Sequence, residues 1–240
     1  MVVTNQFGAV IVAAGRGTRM GTKESKQYLT LAGQPIIIHT LQTFAKLAFI
    51  SEMVVVVGEH DVARLQQMVS DYQIDKVTAV IAGGTERQHS VWQGIQHMKS
   101  EWILVHDGVR PLVTPEAIAT CCAAAEQNDG AAVLAVPVKD TIKQVNEQGV
   151  IIATPDRKSL WAIQTPQAFQ RTILYAAHEQ AQKEQFVGTD DAMIVERMGT
   201  KVVVAEGEYT NIKITTPDDL PFAELLLQTR QQRQEGEKLV

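Results

Sequence analysis

The sequence predicts an α/β fold, a Rossmann-like, mostly parallel twisted sheet flanked by helices. Short runs rich in valine and isoleucine alternate with amphipathic stretches, and helix-start signals open several of those stretches. The runs are too short for helices, so buried parallel strands explain them better. The predicted strands cover residues 9–13, 53–57, 77–82, 103–105, 131–136 and 201–205.

Helices are predicted between these strands from their first residues and their apolar spacing. Pro35 begins one helix, and Thr114 followed by Pro115 is an N-cap with proline at the first helical position. Residues 61–69 keep apolar side chains three and four positions apart. The last predicted helix covers residues 218–230 and ends in a polar tail.

Length and composition indicate one domain over residues 1–240, because 45% of the residues are hydrophobic. A net charge of −5 argues against a nucleic-acid partner. The apolar run over residues 7–14 is too short to span a membrane, and no targeting segment is expected. Cys121 and Cys122 show no metal spacing, so we expect reduced core thiols in a cytoplasmic protein.

A polar, alternating segment at about residues 137–159 breaks the pattern and predicts a protruding β-hairpin arm. Its turn is expected at residues 146–149, ending in glycine. An isolated hairpin is marginally stable in water, and this one exposes Ile142, Val150 and Ile152. The arm therefore packs against its own domain or against a second subunit, and the residues alone leave both possibilities open.

A glycine-rich loop follows the first strand directly. Residues 13–21 read A-A-G-R-G-T-R-M-G, and Lys26-Gln27 comes shortly after. Such a loop lets backbone N–H groups approach phosphate oxygens, and Arg19 and Lys26 could neutralise the phosphate charge. A dinucleotide-binding fingerprint is disfavoured because its third glycine position holds Met20. A Walker loop is disfavoured because no G-K-[ST] closes the loop.

Two further motifs follow predicted strands. Residues 106–111 read H-D-G-V-R-P at the carboxyl end of a predicted strand, where open α/β sheets bind ligands. Asp107 is therefore a candidate to hold ribose or substrate hydroxyls, or to help retain magnesium. Its structural alternative is an ion pair with Arg110, and His106 is expected to orient its neighbours. Residues 83–90 read G-G-T-E-R-Q-H-S, typical either of base recognition through the backbone or of a helix entry capped by Thr85.

Isolated cations and threonines complete the set of candidate residues. Arg157 and Lys213 lie apart from the glycine loop in sequence, as a site for a second phosphate requires. Thr189 precedes two aspartates and is first of all a predicted helix cap.

These motifs, taken in order, resemble the sugar-nucleotidyltransferase superfamily and, within it, the 2-C-methyl-D-erythritol 4-phosphate cytidylyltransferase family, over nearly the whole chain. The resemblance implies that Arg19 and Lys26 stabilise the transition state, while Arg157 and Lys213 position methylerythritol phosphate. The residues that it places around CTP are Ala14, Gly15, Gly17, Gly84, Thr85 and Ser90. Those that it places around the second substrate are Asp107, Arg110, Thr141, Thr165 and Thr189.

The resemblance also implies Mg²⁺ held mainly by the CTP phosphates, with no dedicated protein metal site, and a homodimer whose arms cross. Arg157 and Thr141 would then complete the neighbouring subunit's site. The alternatives are a ribitol 5-phosphate cytidylyltransferase, an NAD-binding oxidoreductase and a non-catalytic nucleotide sensor. Ala14 and the T-P-D-R motif ending at Arg157 favour methylerythritol phosphate over ribitol phosphate.

Overall fold

The structure is a computed structural model that describes residues 2–15, 20–21 and 24–238, with side chains described up to residue 233. The strands are β1 (Phe7–Ala13), β2 (Thr30–Leu31), β3 (Gln34–Pro35), β4 (Ile50–Val57), β5 (Val77–Ala82), β6 (Trp102–Asp107), β7 (Ala131–Pro137), β8 (Gln144–Val145), β9 (Ile151–Ala153), β10 (Trp161–Gln170) and β11 (Val203–Glu206). The helices are α1 (Ile36–Ala45), α2 (Val62–Asp71), α3 (Arg87–Gln96), α4 (Pro115–Gln127), α5 (Arg171–Lys183), α6 (Asp191–Arg197) and α7 (Asp219–Lys238).

Seven strands form one sheet in the order β11-β7-β10-β6-β1-β4-β5. Strands β6, β1, β4 and β5 pair in parallel, and β11 is parallel to β7, whereas β10 runs antiparallel to both of its neighbours. The mostly parallel sheet confirms the predicted fold class. Within the described chain, no helix is both long and apolar enough to cross a membrane.

Helices cover both faces of the sheet, because side chains along each buried strand alternate between two cores. Val10 of β1 packs with α3, α5 and α6, whereas its neighbours Ala9 and Ile11 pack with α1, α2 and α4. A third, smaller cluster joins Leu31, Ile36 and Ile214 to Ala223 of α7. This last cluster holds the chain segments that follow β1, β6 and β11 against one another.

All six predicted strands are present, with ends that differ by a few residues. The predicted helix starts at residues 35, 61, 114 and 218 are also found, and Thr114 caps α4 by accepting a hydrogen bond from the backbone N–H of Ala117. Strand β10 was not predicted, because Pro166 and three glutamines interrupt its apolar pattern. Its pairing with β7 is irregular between Ile163 and Gln167, close to that proline.

The hairpin arm is present as strands β8 and β9, with a turn at residues 146–149. Asn146 Oδ1 accepts hydrogen bonds from the backbone N–H groups of Gln148 and Val150, which fixes the turn. The apolar side chains of the arm face solvent in the single chain, and Ile152 is 64% exposed. The arm is therefore a surface of this chain that has apolar side chains to bury.

Helix α3 packs directly against the sheet at Gly94, where there is no room for a side chain. A Cβ atom at Gly94 would lie 2.5 Å from Val10 Cγ1 and 3.2 Å from Val56 Cγ2. Both valines are fully buried in the core between α3 and the sheet. The close approach fixes the height of α3, and with it the position of the loop at its N-terminus.

We predict that Gly94→Ala destabilises the protein, although alanine is the better helix former. Overpacking typically costs about 1–3 kcal/mol, against a gain in helix propensity of about 1 kcal/mol. Because the added Cβ atom would lie only 2.5 Å from Val10 Cγ1, we expect a cost in the upper part of that range, and so a net loss of about 1–2 kcal/mol in the free energy of unfolding, measured by urea denaturation. Gln96→Ala, on the exposed side of the same helix, is the control and should change stability by less than about 0.5 kcal/mol. A Gly94→Ala variant as stable as the wild type would contradict the tight packing.

Candidate active site

The candidate site lies where β1 and β6 end side by side. From β1 the chain continues towards β4 and β5 on one side, and it then crosses back to β6 on the other side. The carboxyl ends of these two neighbouring parallel strands therefore form a topological switch point, where open α/β sheets bind ligands. Ala14 and Gly15 leave β1 here, and Asp107 is the last residue of β6.

A first pocket, the glycine-loop pocket, opens between the ends of these strands and the start of α3. Its lining residues include most of the predicted nucleotide ligands together with Lys26 and Lys213. They are Val12, Ala13, Ala14, Gly15, Lys26, Gln27, Gly84, Thr85, Glu86, Arg87, Ser90, Asp107, Val109 and Lys213. Segments far apart in sequence are thus brought together around one cavity.

The loop from residue 83 to residue 86 is shaped by Ser90. Its hydroxyl donates to the carbonyl oxygen of Glu86 and accepts a hydrogen bond from the backbone N–H of Gly84. A Cβ atom at Gly83 would lie 2.6 Å from Ala14 Cβ, so only glycine lets this loop approach the end of β1. The pocket wall formed by residues 83–86 is consequently held in one shape before any ligand binds.

A second pocket, the threonine pocket, lies next to the first. It brings together the predicted second-substrate residues Asp107, Arg110, Thr165 and Thr189. Its lining residues are Arg87, Asp107, Arg110, Ile163, Gln164, Thr165, Gln167, Thr189, Asp190 and Lys213. Three cationic and two acidic side chains line it, so its described lining carries a surplus of one positive charge in a chain whose net charge is −5.

Three residues, Arg87, Asp107 and Lys213, line both pockets, and we call them the charged wall. Asp107 Oδ1 lies 3.2 Å from Arg87 Nε, and Asp107 Oδ2 lies 2.9 Å from Lys213 Nζ. Arg110 Nε lies 3.5 Å from the same Oδ2 atom. Asp107 therefore forms the expected ion pair with Arg110, and it also lines both pockets.

Asp107 is ionised at neutral pH. Burial alone raises the pKa of this carboxyl group, but Arg87, Lys213 and Arg110 together hold it well below its usual range. A carboxylate with so low a pKa does not take up a proton during a reaction near neutral pH. In the structure the carboxylate accepts a hydrogen bond from Arg87 and forms ion pairs with Lys213 and Arg110.

His106 lies behind Asp107 and is fully buried. Its Nε2 donates to the carbonyl oxygen of Arg110, and its Nδ1 accepts from the hydroxyl of Thr165. The same hydroxyl accepts a hydrogen bond from the backbone N–H of Asp107. The single proton of Thr165 is thus used on His106, and the hydroxyl links the His106 ring to the backbone at the end of β6.

Asn211 connects β10 to the segment that carries Lys213. Its side-chain nitrogen donates to Gln164 Oε1 and to the backbone carbonyl oxygen of Thr165. Its backbone carbonyl oxygen accepts a hydrogen bond from Arg110 Nη1. Asn211 is fully buried, so these contacts are not shared with solvent. The position of Lys213 two residues later is therefore fixed relative to Arg110 and Thr165.

Arg87 and Asp191 are site residues that the sequence reasoning did not identify. Arg87 Nη1 lies 2.6 Å from Asp191 Oδ2, so this arginine joins Asp107 to a carboxylate on α6. A signal was available, because a cation in the first turn of a helix is unfavourable for the helix dipole and needs another reason to be there. Asp191 gave no such signal, since an acidic residue is ordinary at that position.

Among the predicted site residues that the structure describes, Thr141 and Arg157 line neither pocket of the single chain. Thr141 is exposed on the arm, and Arg157 donates from Nη1 to the carbonyl oxygen of Lys139 at the base of the arm. Gly17 and Arg19 lie outside the described residues. The other predicted residues are distributed over the two pockets.

The cap expected at Thr189 is wrong by one residue. Helix α6 begins at Asp191, and Asp190 Oδ1 accepts the hydrogen bond from the backbone N–H of Met193. The N-cap is the residue immediately before the helix, and a carboxylate there caps more strongly. The possible cap at Thr85 is likewise not used, because α3 begins at Arg87 and the Thr85 hydroxyl instead contacts His89 Nδ1.

The described residues contain no group of three or more His, Cys, Asp or Glu side chains that could hold a metal ion. The acidic residues that line the glycine-loop pocket are Glu86 and Asp107. Because Arg87, Arg110 and Lys213 surround Asp107, a metal ion there would meet three positive charges. The protein side of this pocket thus fits an anionic ligand better than a bare cation.

We predict that His106 makes the protein less stable as the pH falls from 7 to 5. Burial lowers the pKa of His106 from 6.5 to about 3, so in this range the unfolded chain binds a proton that the folded chain excludes. The cost reaches about 2 kcal/mol at pH 5. In His106→Gln, which can keep both hydrogen bonds, this part of the pH dependence should disappear from urea unfolding curves.

The control for this measurement is Gly94→Ala, which removes no titrating group and should keep the wild-type pH dependence. His39, whose pKa is also lowered by burial, contributes equally to all three proteins. If the free energy of unfolding depended on pH in the same way in the wild type and in His106→Gln, His106 would be protonated in the folded protein, and the prediction would be wrong.

Comparisons with known proteins give the family of the chain. The family model IspD, described as 2-C-methyl-D-erythritol 4-phosphate cytidylyltransferase, matches residues 7–229. A protein of that name from Geobacter metallireducens is 46% identical over 228 residues, which are 92% of this chain and 97% of the relative. One from Caldanaerobacter subterraneus is 47% identical over 222 residues, which are 91% of this chain and 97% of the relative.

Solved structures agree with the sequence comparison. The 4-diphosphocytidyl-2C-methyl-D-erythritol synthase from Anaerococcus prevotii is similar with a TM-score of 0.82 and 33% identity, covering 93% of this chain and 99% of the other. A 2-C-methyl-D-erythritol 4-phosphate cytidylyltransferase from Thermus thermophilus reaches a TM-score of 0.76 at 31% identity, over 93% and 98% of the two chains. The chain therefore belongs to the 2-C-methyl-D-erythritol 4-phosphate cytidylyltransferase family.

Proposed function

We propose that this protein transfers the cytidylyl group of CTP to 2-C-methyl-D-erythritol 4-phosphate. The products are 4-diphosphocytidyl-2-C-methyl-D-erythritol and pyrophosphate, in the non-mevalonate synthesis of isoprenoid precursors. Family membership supports this nucleotidyltransferase activity. The observation that carries the proposal is the pair of adjacent pockets that share the charged wall, because a transfer between two phosphate-bearing substrates needs two neighbouring sites.

The reaction is a direct in-line displacement. A phosphate oxygen of methylerythritol phosphate forms a bond to the α-phosphorus of CTP, and the bond from that phosphorus to the pyrophosphate oxygen breaks. The attacking phosphate is already ionised, so no base removes a proton. This agrees with Asp107, whose low pKa makes it a poor proton acceptor, and with His106, which is buried behind it.

The glycine-loop pocket is assigned to CTP. Ala14, Gly15 and Gly84 offer backbone groups, and Lys26 lies among them. Negative charge grows on the α-phosphate oxygens and on the leaving pyrophosphate, so a cation placed there beforehand lowers the barrier. Lys26 and Arg19 are proposed to stabilise this charge, and Gly17 to complete the loop around the nucleotide.

The threonine pocket is assigned to methylerythritol phosphate. Lys213 and Arg110 supply positive charge, while Asp107, Thr165 and Thr189 supply polar contacts at its lining. Thr165 offers only an acceptor, because its proton is used on His106. Arg157 and Thr141 are proposed to close this pocket from a second subunit.

A homodimer with crossed arms is proposed because apolar side chains of the arm are exposed to solvent in the single chain. Val150, Ile151 and Ile152 are all more than half exposed in the single chain. A two-stranded hairpin is marginally stable unless it packs against something. A second copy of the chain would cover these side chains. The crossing arm of each subunit would then place its Arg157 and Thr141 near the threonine pocket of the other subunit.

Mg²⁺ is proposed as the cofactor, held mainly by the triphosphate oxygens of CTP. When bound, a divalent cation neutralises part of the charge on the triphosphate and favours the departure of pyrophosphate. Three cations surround Asp107 in the glycine-loop pocket, and this charge supports an ion that enters together with the nucleotide. The buried free thiols of Cys121 and Cys122 support a cytoplasmic location.

We predict that pyrophosphate is released from CTP and Mg²⁺ only when methylerythritol phosphate is the acceptor. Each polyol phosphate is tested separately, with ribitol 5-phosphate as the closest competitor, and pyrophosphate is detected by a coupled assay. Preferential use of ribitol 5-phosphate would replace the proposed acceptor by that one. Nucleotide binding without any transfer would favour the nucleotide sensor, and NAD turnover the oxidoreductase.

A hybrid dimer tests the crossed arms. Lys26→Ala should lower turnover by about a hundredfold to a thousandfold, and Arg157→Ala should mainly raise the KM for methylerythritol phosphate. Two differently tagged chains, one with each substitution, are expressed together and purified through both tags. One site of each hybrid would then be intact, giving about half of the wild-type activity.

The matched control pairs a wild-type chain with a chain that carries both substitutions. If the arms cross, each site of this control has one defect, so its activity stays low. If the arms do not cross, the control keeps about half of the activity, and the hybrid with one substitution on each chain has low activity. That result would contradict the proposed completion of the site by Arg157.

A further inference from the structure

A line of charged side chains leads from the active site into the body of the protein. Lys213 contacts Asp107, Asp107 contacts Arg87, and Arg87 contacts Asp191 on α6. The distances are 2.9, 3.2 and 2.6 Å in that order. The line crosses from the loop after β11 to the end of β6, the start of α3 and the start of α6. Four separate chain segments are therefore tied together by one set of ion pairs.

The inner end of this line is held firmly. Asp191 is 1% exposed, and its Oδ1 accepts a hydrogen bond from Nε2 of the equally buried His178. The ring of His178 stacks on Trp92 of α3, with 6.1 Å between centroids and 17° between planes. Asp191 stays ionised, because Arg87 and His178 more than offset the effect of burial on its pKa. Asp191 is thus a fixed negative charge behind the site.

Arg87 uses its planar guanidinium to join two carboxylates. Nε contacts Asp107 and Nη1 contacts Asp191, so the side chain spans the distance between them with two hydrogen bonds of set direction. Its side chain is 27% exposed, and that exposure faces the two pockets it lines. Lysine has the same charge but a single nitrogen, which cannot make this bridge in the same geometry.

Stability alone gives little reason for this arrangement. Taking charges out of water is costly, and buried ion pairs are often no more stabilising than apolar side chains of similar size. Arg87 Nη2 and His178 Nδ1 are also buried without a hydrogen-bond partner among the described residues. Unmet polar groups of this kind add to the cost. A function in placing Asp107 accounts for the network better.

We propose that Arg87 and Asp191 are positioning residues that fix the orientation of the Asp107 carboxylate, and through it the placement of Lys213 and Arg110 in the threonine pocket. This inference rests on the proposed function of that pocket. Arg87 holds Oδ1, which leaves Oδ2 directed at Lys213 and Arg110. Without Arg87 the Asp107 carboxylate can rotate. Its contacts with Lys213 and Arg110 would then no longer hold these two cations in place relative to the acceptor phosphate.

The experiment compares Arg87→Gln and Asp191→Asn with the wild type, using whichever polyol phosphate the wild type accepts. We expect kcat/KM for the acceptor to fall about a hundredfold in Arg87→Gln and about tenfold in Asp191→Asn, as small misplacements of reacting groups do. The dissociation constant for CTP, measured by calorimetry without acceptor, should change less than about threefold, because the backbone contacts of the glycine-loop pocket remain.

Two control variants separate positioning from charge and from folding. Arg197→Gln removes an arginine from an exposed ion pair with Glu184, away from both pockets, and should leave activity unchanged. Arg87→Lys keeps the charge and should recover only a small part of the lost activity. Full activity in Arg87→Lys would overturn the orienting function. Thermal unfolding of every variant shows whether a loss of activity follows from a loss of folded protein. Activity losses that match the loss of folded protein would also overturn the orienting function of Arg87.

A double-mutant cycle with Asp107→Asn gives the decisive comparison. Because Arg87 is proposed to act through Asp107, adding Arg87→Gln to Asp107→Asn should cost less than about a further threefold in kcat/KM. Independent losses that multiply in the double variant would mean that Arg87 acts by another route. A wild-type protein inactive with every acceptor would instead refute the proposed function, so the two failures can be told apart.

Discussion

The site depends on one buried carboxylate held among three cations. Asp107 ends the central strand β6, and Arg87, Arg110 and Lys213 reach it from three other segments of the chain. A carboxylate at this depth is costly unless it is paired, and the cations would repel one another without it. Asp107, Arg87 and Lys213 form the charged wall that lines both pockets, and Arg110 contacts it from the threonine pocket.

The fold places this wall at the switch point of the sheet. Strands β1 and β6 are neighbours although 95 residues separate each of their paired positions, and their ends bring the glycine loop next to Asp107. The close approach of α3 at Gly94 and of the loop at Gly83 fixes the opposite side of the first pocket. Behind the wall, His106, Thr165 and Asn211 use their hydrogen bonds on protein groups, so the end of β6 is held in place before a ligand arrives.

Much of this arrangement could be predicted from the sequence, and the reasons for the exceptions are physical. Valine-rich runs identified the parallel strands because buried strands need continuous apolar residues, whereas β10, with Pro166 and three glutamines, gave no such run. The motifs around Asp107 and Lys26 identified residues that do line the pockets. Asp191 was missed because an ion pair between residues 104 positions apart leaves no local pattern, whereas Arg87 carried one local signal, a cation in the first turn of α3. The possible caps at Thr85 and Thr189 are not used, because each helix begins one residue later than a cap at the threonine would place it.

The central claim is that the charged wall separates a nucleotide site from an acceptor site. A crystal structure with a non-reactive CTP analogue and methylerythritol phosphate tests it most directly. We expect the triphosphate on the side of Lys26 and Gly15, the acceptor phosphate on the other side near Lys213, and Asp107 still in contact with Arg87. Both phosphates on one side of Asp107, or an Asp107 carboxylate turned away from Arg87, would contradict the account.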